Sequence, residues 1–316
     1  MLVPRAIRKL LTSLLLLAAG PAFGQALPWI PFEWGGATLD GRRFDKVAIL
    51  VPVRLAGLPH RFNMQLDLGA VTTMVYGNTI APYLAAYPAL RARFDSTRTF
   101  YIQSQKNGLL TGVPLQLGGV SFGPRDLGLF RGYGDSLTAA ALRDTAAVHL
   151  GSIAPDLFQH RVLIIDYPHQ RLAVADAVPA AYARAAFQPF QLRDGRLRIP
   201  LRIAGQLQPL LFDTGASLFA LLTTQARAEA LAAGGAVQDS VRTSTWGEHY
   251  YVHGRRPRAP IYFGRKQLPP VLVYADRRHQ FDKFYQEEGV WGLTGNAYFL
   301  RSVVIIDYQH QRFGVW

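Results

Sequence analysis

The second half of this chain is a variation on its first. Ile164-Ile165-Asp166-Tyr167-Pro168-His169-Gln170-Arg171-Leu172-Ala173-Val174 returns as Ile305-Ile306-Asp307-Tyr308-Gln309-His310-Gln311-Arg312-Phe313-Gly314-Val315, with eight of eleven positions identical. Gly151 lies fifteen residues before Asp166, and Gly292 fifteen before Asp307. Pro52-Val53-Arg54-Leu55-Ala56-Gly57 returns as Pro200-Leu201-Arg202-Ile203-Ala204-Gly205, and each copy leads within a short distance to an aspartate turn. These turns are Met64-Gln65-Leu66-Asp67-Leu68-Gly69-Ala70 and Leu210-Leu211-Phe212-Asp213-Thr214-Gly215-Ala216-Ser217. Self-similarity at both ends of each half reads as two homologous units. The two aspartate turns should then superpose about an approximate two-fold axis.

Within each half the local pattern is mostly strand. Val47 to Leu55 and Arg196 to Ile203 alternate or run apolar over strand lengths, rich in β-branched residues. Phe100 to Ser104 and Leu109 to Leu117 flank Gln105-Lys106-Asn107-Gly108, whose Asn-Gly pair predicts the hairpin turn. Leu117-Gly118-Gly119-Val120 makes a second corner, answered in the other half by Phe263-Gly264-Arg265-Lys266. Helices are few: Thr79 to about Arg93, a stretch capped by Thr223 or Thr224 that ends near Gly234-Gly235, and about His279 to Glu288. The fold class expected is mostly β and bilobal, with a few short helices. Its divisions are a lead segment over 25–43, a first lobe over 44–176, a linker over 177–189 and a second lobe over 190–316.

Residues 1–24 read as a secretory signal peptide. Arg5, Arg8 and Lys9 precede an apolar run from Leu10 to Ala19, too short to span a bilayer, and small residues follow. Cleavage is expected after Gly24 or Ala26, and export to the periplasm or beyond the cell. The chain has no cysteine, which excludes disulfides and a lipid-anchored cysteine. The net charge of +13 comes from scattered arginines without a nucleic-acid motif, so a solvated basic surface is the plain reading. No later segment is long and apolar enough to cross a membrane as a helix.

The aspartate turns are where chemistry concentrates. Each apolar run ends in one carboxylate followed by a glycine, which tolerates close approach by other groups. A carboxylate held there is costly unless hydrogen-bonded, and Thr214, Ser217 and turn N–H groups could supply the bonds. The plainer alternative for Asp213 is a turn aspartate bonding its own backbone. Other features have bland readings. His169 and His310 sit in the repeated Asp-Tyr-x-His-Gln-Arg turn without neighbouring ligands, and Trp246, Tyr250 and Tyr251 suit core or rim packing.

Taken together, the repeat, the paired Asp-x-Gly-Ala turns and the late apolar-Gly segments resemble the aspartic peptidases of the retropepsin and pepsin type, particularly their bacterial secreted relatives. Asp213-Thr214-Gly215-Ala216-Ser217 is similar to the family's catalytic loop. Gly292-Leu293-Thr294-Gly295-Asn296-Ala297-Tyr298-Phe299-Leu300 is similar to its apolar-Gly segment, as is Gly151-Ser152-Ile153-Ala154-Pro155-Asp156-Leu157-Phe158 in the first half. The likeness runs from about Phe44 to Trp316. It implies a catalytic pair, Asp67 and Asp213, sharing one proton and activating a water between them. It implies a supporting loop of Leu68, Gly69, Thr214, Gly215 and Ser217, and a flap carrying Ser104, Asn107 and Gly108. Peptide or unfolded protein is the substrate implied, with no cofactor or metal, no nucleic acid, and a monomer.

The first half departs from that pattern. Leu68 stands where a hydroxyl normally braces the opposite loop, and Val71 stands opposite Ser217 with Thr72 one position late. Ser104 falls where the flap usually carries a tyrosine. Only Thr214 can then reach across, and Leu68 should be buried in apolar contact at the lobe junction. The expected activity is endopeptidase. The alternative is a catalytically weak or inactive relative that binds peptide or envelope polymer in the inter-lobe cleft.

Overall fold

The computed structural model describes residues 27–55, 57–102 and 104–316, so the expected signal peptide and its cleavage site lie outside the described residues. The chain is mostly β, arranged as three sheets and a few short helices. An eight-stranded sheet belongs to the first half, a ten-stranded sheet to the second, and a six-stranded sheet joins them. The long strands bury alternate residues, as period-two patterning requires. In Arg42–Leu55 these are Ile49, Val51, Val53 and Leu55, and in Arg196–Ile203 they are Leu197, Ile199, Leu201 and Ile203.

The repeat is realised strand for strand. In the first half Phe62–Leu66 runs parallel to Val148–Ile153, which pairs antiparallel with Met74–Tyr76, itself parallel to Val120–Phe130. In the second half Gln206–Phe212, Gly292–Thr294, Leu221–Thr223 and Val273–Asp276 repeat those pairings in the same senses. The joining sheet is built from the repeated terminal hairpins. Val162–Asp166 pairs antiparallel with Val303–Asp307, and Ile164 lies opposite Ile305, its own counterpart in the repeat. A residue opposite its equivalent marks where the local two-fold axis passes.

The turns closing those hairpins are held by their aspartates. Asp166 accepts from His169 Nδ1 at 2.9 Å and Arg171 Nε at 2.8 Å, and Asp307 repeats this with His310 and Arg312. The two histidines are therefore structural. The segments at the edges also take part in the sheets. Ile30–Pro31 pairs with Arg171–Ala175, Glu33–Leu39 pairs with Arg42–Leu55, and the linker ends in a strand, Ala186–Pro189, on Arg312–Val315. Phe32 is buried and Trp34 stacks on Tyr167.

The helices fall near their expected places: Gly77–Ala86 and Pro88–Arg91, Gln225–Ala232, and Asp282–Glu288. Thr224 caps the third by accepting from the Arg227 N–H. Among the described residues no helix is long and apolar enough to cross a membrane.

One sequence expectation is corrected. The hairpin reverses between Ile102 and Gln105, with Ser104 left-handed at φ +67°, so Asn107 and Gly108 lie inside the strand Gln105–Leu117. Asn107 is buried, and its Oδ1 accepts from the Arg131 N–H at 3.1 Å. A β-carbon on Gly108 would lie 2.6 Å from the Phe94 ring. The Asn-Gly pair is thus spent on packing the hairpin base, not on turning it.

Candidate active site

Each aspartate leaves the end of a strand that is hydrogen-bonded on both edges. The Asp67 N–H donates to the Ile153 carbonyl at 2.9 Å, and the Asp213 N–H to the Thr294 carbonyl at 2.9 Å. The chain then turns back on the carboxylate. Gly69 and Ala70 N–H groups donate to Asp67 Oδ1 at 3.1 Å each, and those of Gly215 and Ala216 to Asp213 Oδ1 at 2.8 and 3.3 Å. Backbone donors fix both carboxylates, so neither Thr214 nor Ser217 is needed for that task. Ser217 instead accepts from Asn296 Nδ2 at 2.9 Å, and Asn296 accepts from the Tyr167 hydroxyl at 2.7 Å. Ser217 thus ties its turn to the following segment without touching Asp213.

The two turns face each other across the junction of the halves. A β-carbon on Gly69 would sit 2.4 Å from Asp213 Cγ, and one on Gly215 would sit 2.8 Å from Asp67 Oδ1. The glycines are therefore required by the opposite carboxylate. Asp67 and Asp213 are thereby set side by side, each close enough to act on the ionisation of the other. Both are half-buried where the halves meet.

Burial first, and then the Asp213 charge, pushes the Asp67 carboxyl up to about 7. Asp213 is also raised by burial, but its turn amides, the neighbouring Asp67 carboxyl and, least, the Arg196 charge oppose the rise. Burial thus raises both carboxyls, so the pair holds a proton towards neutrality. The Asp67 charge raises the Tyr76 and Tyr133 hydroxyls, and the Asp213 charge those of Tyr250 and Tyr285, in each case after burial.

Bracing between the loops is one-sided. Thr214 Oγ1 accepts from the Leu68 N–H at 2.9 Å and donates to the Leu66 carbonyl at 2.7 Å, and Thr214 is buried. Leu68 returns no such bond and is fully buried in the main apolar cluster. Its burial contributes about 1.5–3 kcal/mol. Val71 is partly exposed at 36 %. Thr73, two residues on, anchors this loop by donating to Asp156 through its N–H and its hydroxyl.

Sequence reasoning missed Arg196 altogether. From the second half its Nε donates to the Gly69 carbonyl at 2.8 Å, while its Nη1 meets Glu288 Oε1 at 2.7 Å.

Two hairpins, one from each half, meet beside the Asp67 turn. Phe100 and Ile102 of the first and Trp246 of the second pack on one cluster containing Ala70, Met74, Phe130 and Tyr133. Trp246 sits at the tip between Asp239–Thr245 and Glu248–Arg255, with its ring 5.8 Å from Phe130 and 5.9 Å from Tyr133. Ser104 is at the exposed tip of the first hairpin, away from this packing. Trp246 is therefore a packing residue, but one that spans the two halves.

No protein-family model matches this chain, and no curated protein matches it. Its chemistry has to be read from the geometry. A carboxyl and a carboxylate in contact, held by turn amides and reachable by solvent, can take a proton from water and give one to a carbonyl oxygen in a single site.

Two expectations follow from this geometry. Gly69→Ala must displace the Asp213 carboxylate, and a misplacement approaching 1 Å should cost turnover about two powers of ten; steady-state rates would show it. The raised carboxyl also makes stability depend on pH. Between 3.8, its ordinary value, and about 7, the folded chain holds a proton that the unfolded chain has lost. The stability tied to that proton is complete below the lower value and falls as pH rises through the upper one. The melting temperature of the native chain should therefore fall relative to Asp67→Asn across that window, as scanning calorimetry at several pH values would reveal.

Proposed function

We propose that this chain is an aspartic endopeptidase, exported by the pattern in residues 1–24, with Asp67 and Asp213 as its catalytic pair. The observation that carries this reading is the meeting of two equivalent turns, each holding its own carboxyl by backbone amides and pressing its glycine against the carboxyl of the other across the seam. A water between them loses its proton to ionised Asp213 as its oxygen attacks the scissile carbonyl carbon. Protonated Asp67 donates to the carbonyl oxygen as the C–O π bond opens. Collapse of the tetrahedral adduct re-forms the C=O bond as one hydroxyl proton returns to Asp67, and breaks the C–N bond as the proton on Asp213 passes to the leaving amine, which restores protonated Asp67 and ionised Asp213. Peptide and unfolded protein are the substrates that a cleft between two β lobes would accept as extended strands.

The test is cleavage of unfolded protein and of a peptide library from acid to neutral pH, with inhibition by a statine-type mimic of the tetrahedral adduct. Turnover blocked by that mimic is expected. Absence of turnover throughout that range would favour the second reading, a cleft that binds peptide or envelope polymer without cutting it. The observation favouring that second reading is Leu68, whose apolar side chain leaves one bracing bond unmade.

Leu68→Thr separates the two readings. A hydroxyl there would return the bond that Thr214 now makes alone, and one bond of about 1.4 kcal/mol in the transition state is about tenfold in rate. Faster turnover with a slightly lower melting temperature is expected of a peptidase. Unchanged or slower turnover would show that the missing hydroxyl does not limit the rate.

A further inference from the structure

The turn carrying Asp67 is gripped from the second half at more than one point. Thr214 holds the backbone of Leu66 and Leu68. One residue further on, the Gly69 carbonyl accepts from Arg196 Nε at 2.8 Å. The hairpin that presents Arg196, Gln191–Arg193 turning into Arg196–Ile203, rests against the same loop. At its corner Gly195 has φ +77°, and a β-carbon there would come 3.7 Å from the Val71 carbonyl.

Arg196 is itself held rigidly. Its Nη1 is 2.7 Å from Glu288 Oε1, and the other Glu288 oxygen is taken by Arg198 Nη2. Arg198 is buried and also donates to the backbone of Glu288 and Arg193. A guanidinium fork fixed at one end by a carboxylate presents its remaining N–H in one direction, which a flexible ammonium cannot do.

We propose that Arg196 is a positioning residue of the site, clamping the Asp67 turn to the second half through the Gly69 carbonyl and supplying the cross-bridge that Leu68 cannot. The proposal rests on the peptidase reading for its catalytic consequence but not for the clamp itself. The charge has a second effect, because Arg196 is the cation acting on Asp213 and favours its ionised form. Asp213 otherwise meets Asp67 and lies in the electrostatic reach of Tyr250 and Tyr285, and Asp67 in that of Tyr76 and Tyr133. Arg196 is faced by Glu288, with Arg198, Arg193 and Asp194 close by.

The experiment compares the full chain with Arg196→Met and Arg196→Lys by three readouts. Carbon-13 labelling of aspartate follows ionisation of the pair by NMR. Amide exchange at Gly69 and Ala70 follows the clamp. Peptide hydrolysis over pH gives kcat and KM.

Arg196→Met should raise the first ionisation of the pair and move the acid limb of kcat with it. It should lower kcat about 10- to 100-fold with KM within about threefold. Arg196→Lys keeps the charge and loses the fork, so it should leave the ionisation in place while amide exchange quickens at least about tenfold and kcat falls. It also carries the test should the methionine variant not fold. Unchanged exchange in the lysine variant, or unchanged ionisation in a folded methionine variant, overturns the proposal. If both physical readouts move as expected and no peptide is cut, the clamp stands and the peptidase reading fails.

Discussion

Asp213→Asn should give a folded protein that no longer cleaves peptide. The amide keeps the shape of the carboxylate, and its oxygen can still accept from the Gly215 and Ala216 N–H groups. It cannot take a proton from water. A loss of about three to four powers of ten or more in kcat is expected, in line with removal of a member of a catalytic unit. Asp67→Asn should cost a similar factor, and the double variant little more, because the two groups act as one. Stability should move the other way. Above about 7 the native pair carries two buried like charges and either variant only one, so each variant should melt no lower than the native chain in that range. A variant that loses activity by unfolding would lose both. Kinetics and calorimetry on the same preparations distinguish the outcomes, and undiminished cleavage by Asp213→Asn would remove Asp213 from the mechanism.

Glu288→Ala is expected to have the largest effect on stability. Glu288 sits at the end of Asp282–Glu288, mostly buried, and pairs with both Arg196 and Arg198. Arg198 has a side chain only 3 % exposed, so removing its carboxylate strands a cation where water cannot replace the partner. Breaking a buried pair by deleting one member costs about 3–5 kcal/mol. For a chain of this size that is a fall in melting temperature of roughly 5–15 °C. Glu288→Gln should cost less, since its amide oxygen can still accept one of the two guanidinium bonds. Thermal melts of both variants check this, and a Glu288→Ala protein melting within 2 °C or so of the native chain would show the triad to be of little consequence.

What could be read in the sequence was whatever the chain states locally and then states again. The paired aspartate turns, the repeated Asp-Tyr-x-His-Gln-Arg hairpins and the Thr224 cap depend on neighbours within a few residues, and the structure places them accordingly. Thr214 was legible because the resemblance to aspartic peptidases implies its reach across the seam. Asn107-Gly108 misled for a physical reason. The pair suits a tight turn, but the buried Asn107 is committed to Arg131, 24 positions away. Arg196 and Glu288 left no local trace of their partners, and Trp246 showed a packing role but not what it packs on. Arg196 finds Gly69 across 127 positions and Glu288 across 92, and Trp246 finds Phe130 in the other half. An arginine beginning a strand looks the same whether it faces solvent or a catalytic turn. Ser217 was misread because the turn's own N–H groups already satisfy Asp213, leaving its hydroxyl to Asn296.

The sharing of one proton by Asp67 and Asp213 is open to direct measurement. Carbon-13 spectra of the aspartate carboxyls, assigned with the two asparagine variants, can follow both groups from strong acid to above neutrality. The expected result is one ionisation for the pair in the acid range and a second near 7, with the Asp67 step moving down when Asp213 becomes asparagine. Two independent ionisations near 4, each indifferent to replacement of the other residue, would contradict it.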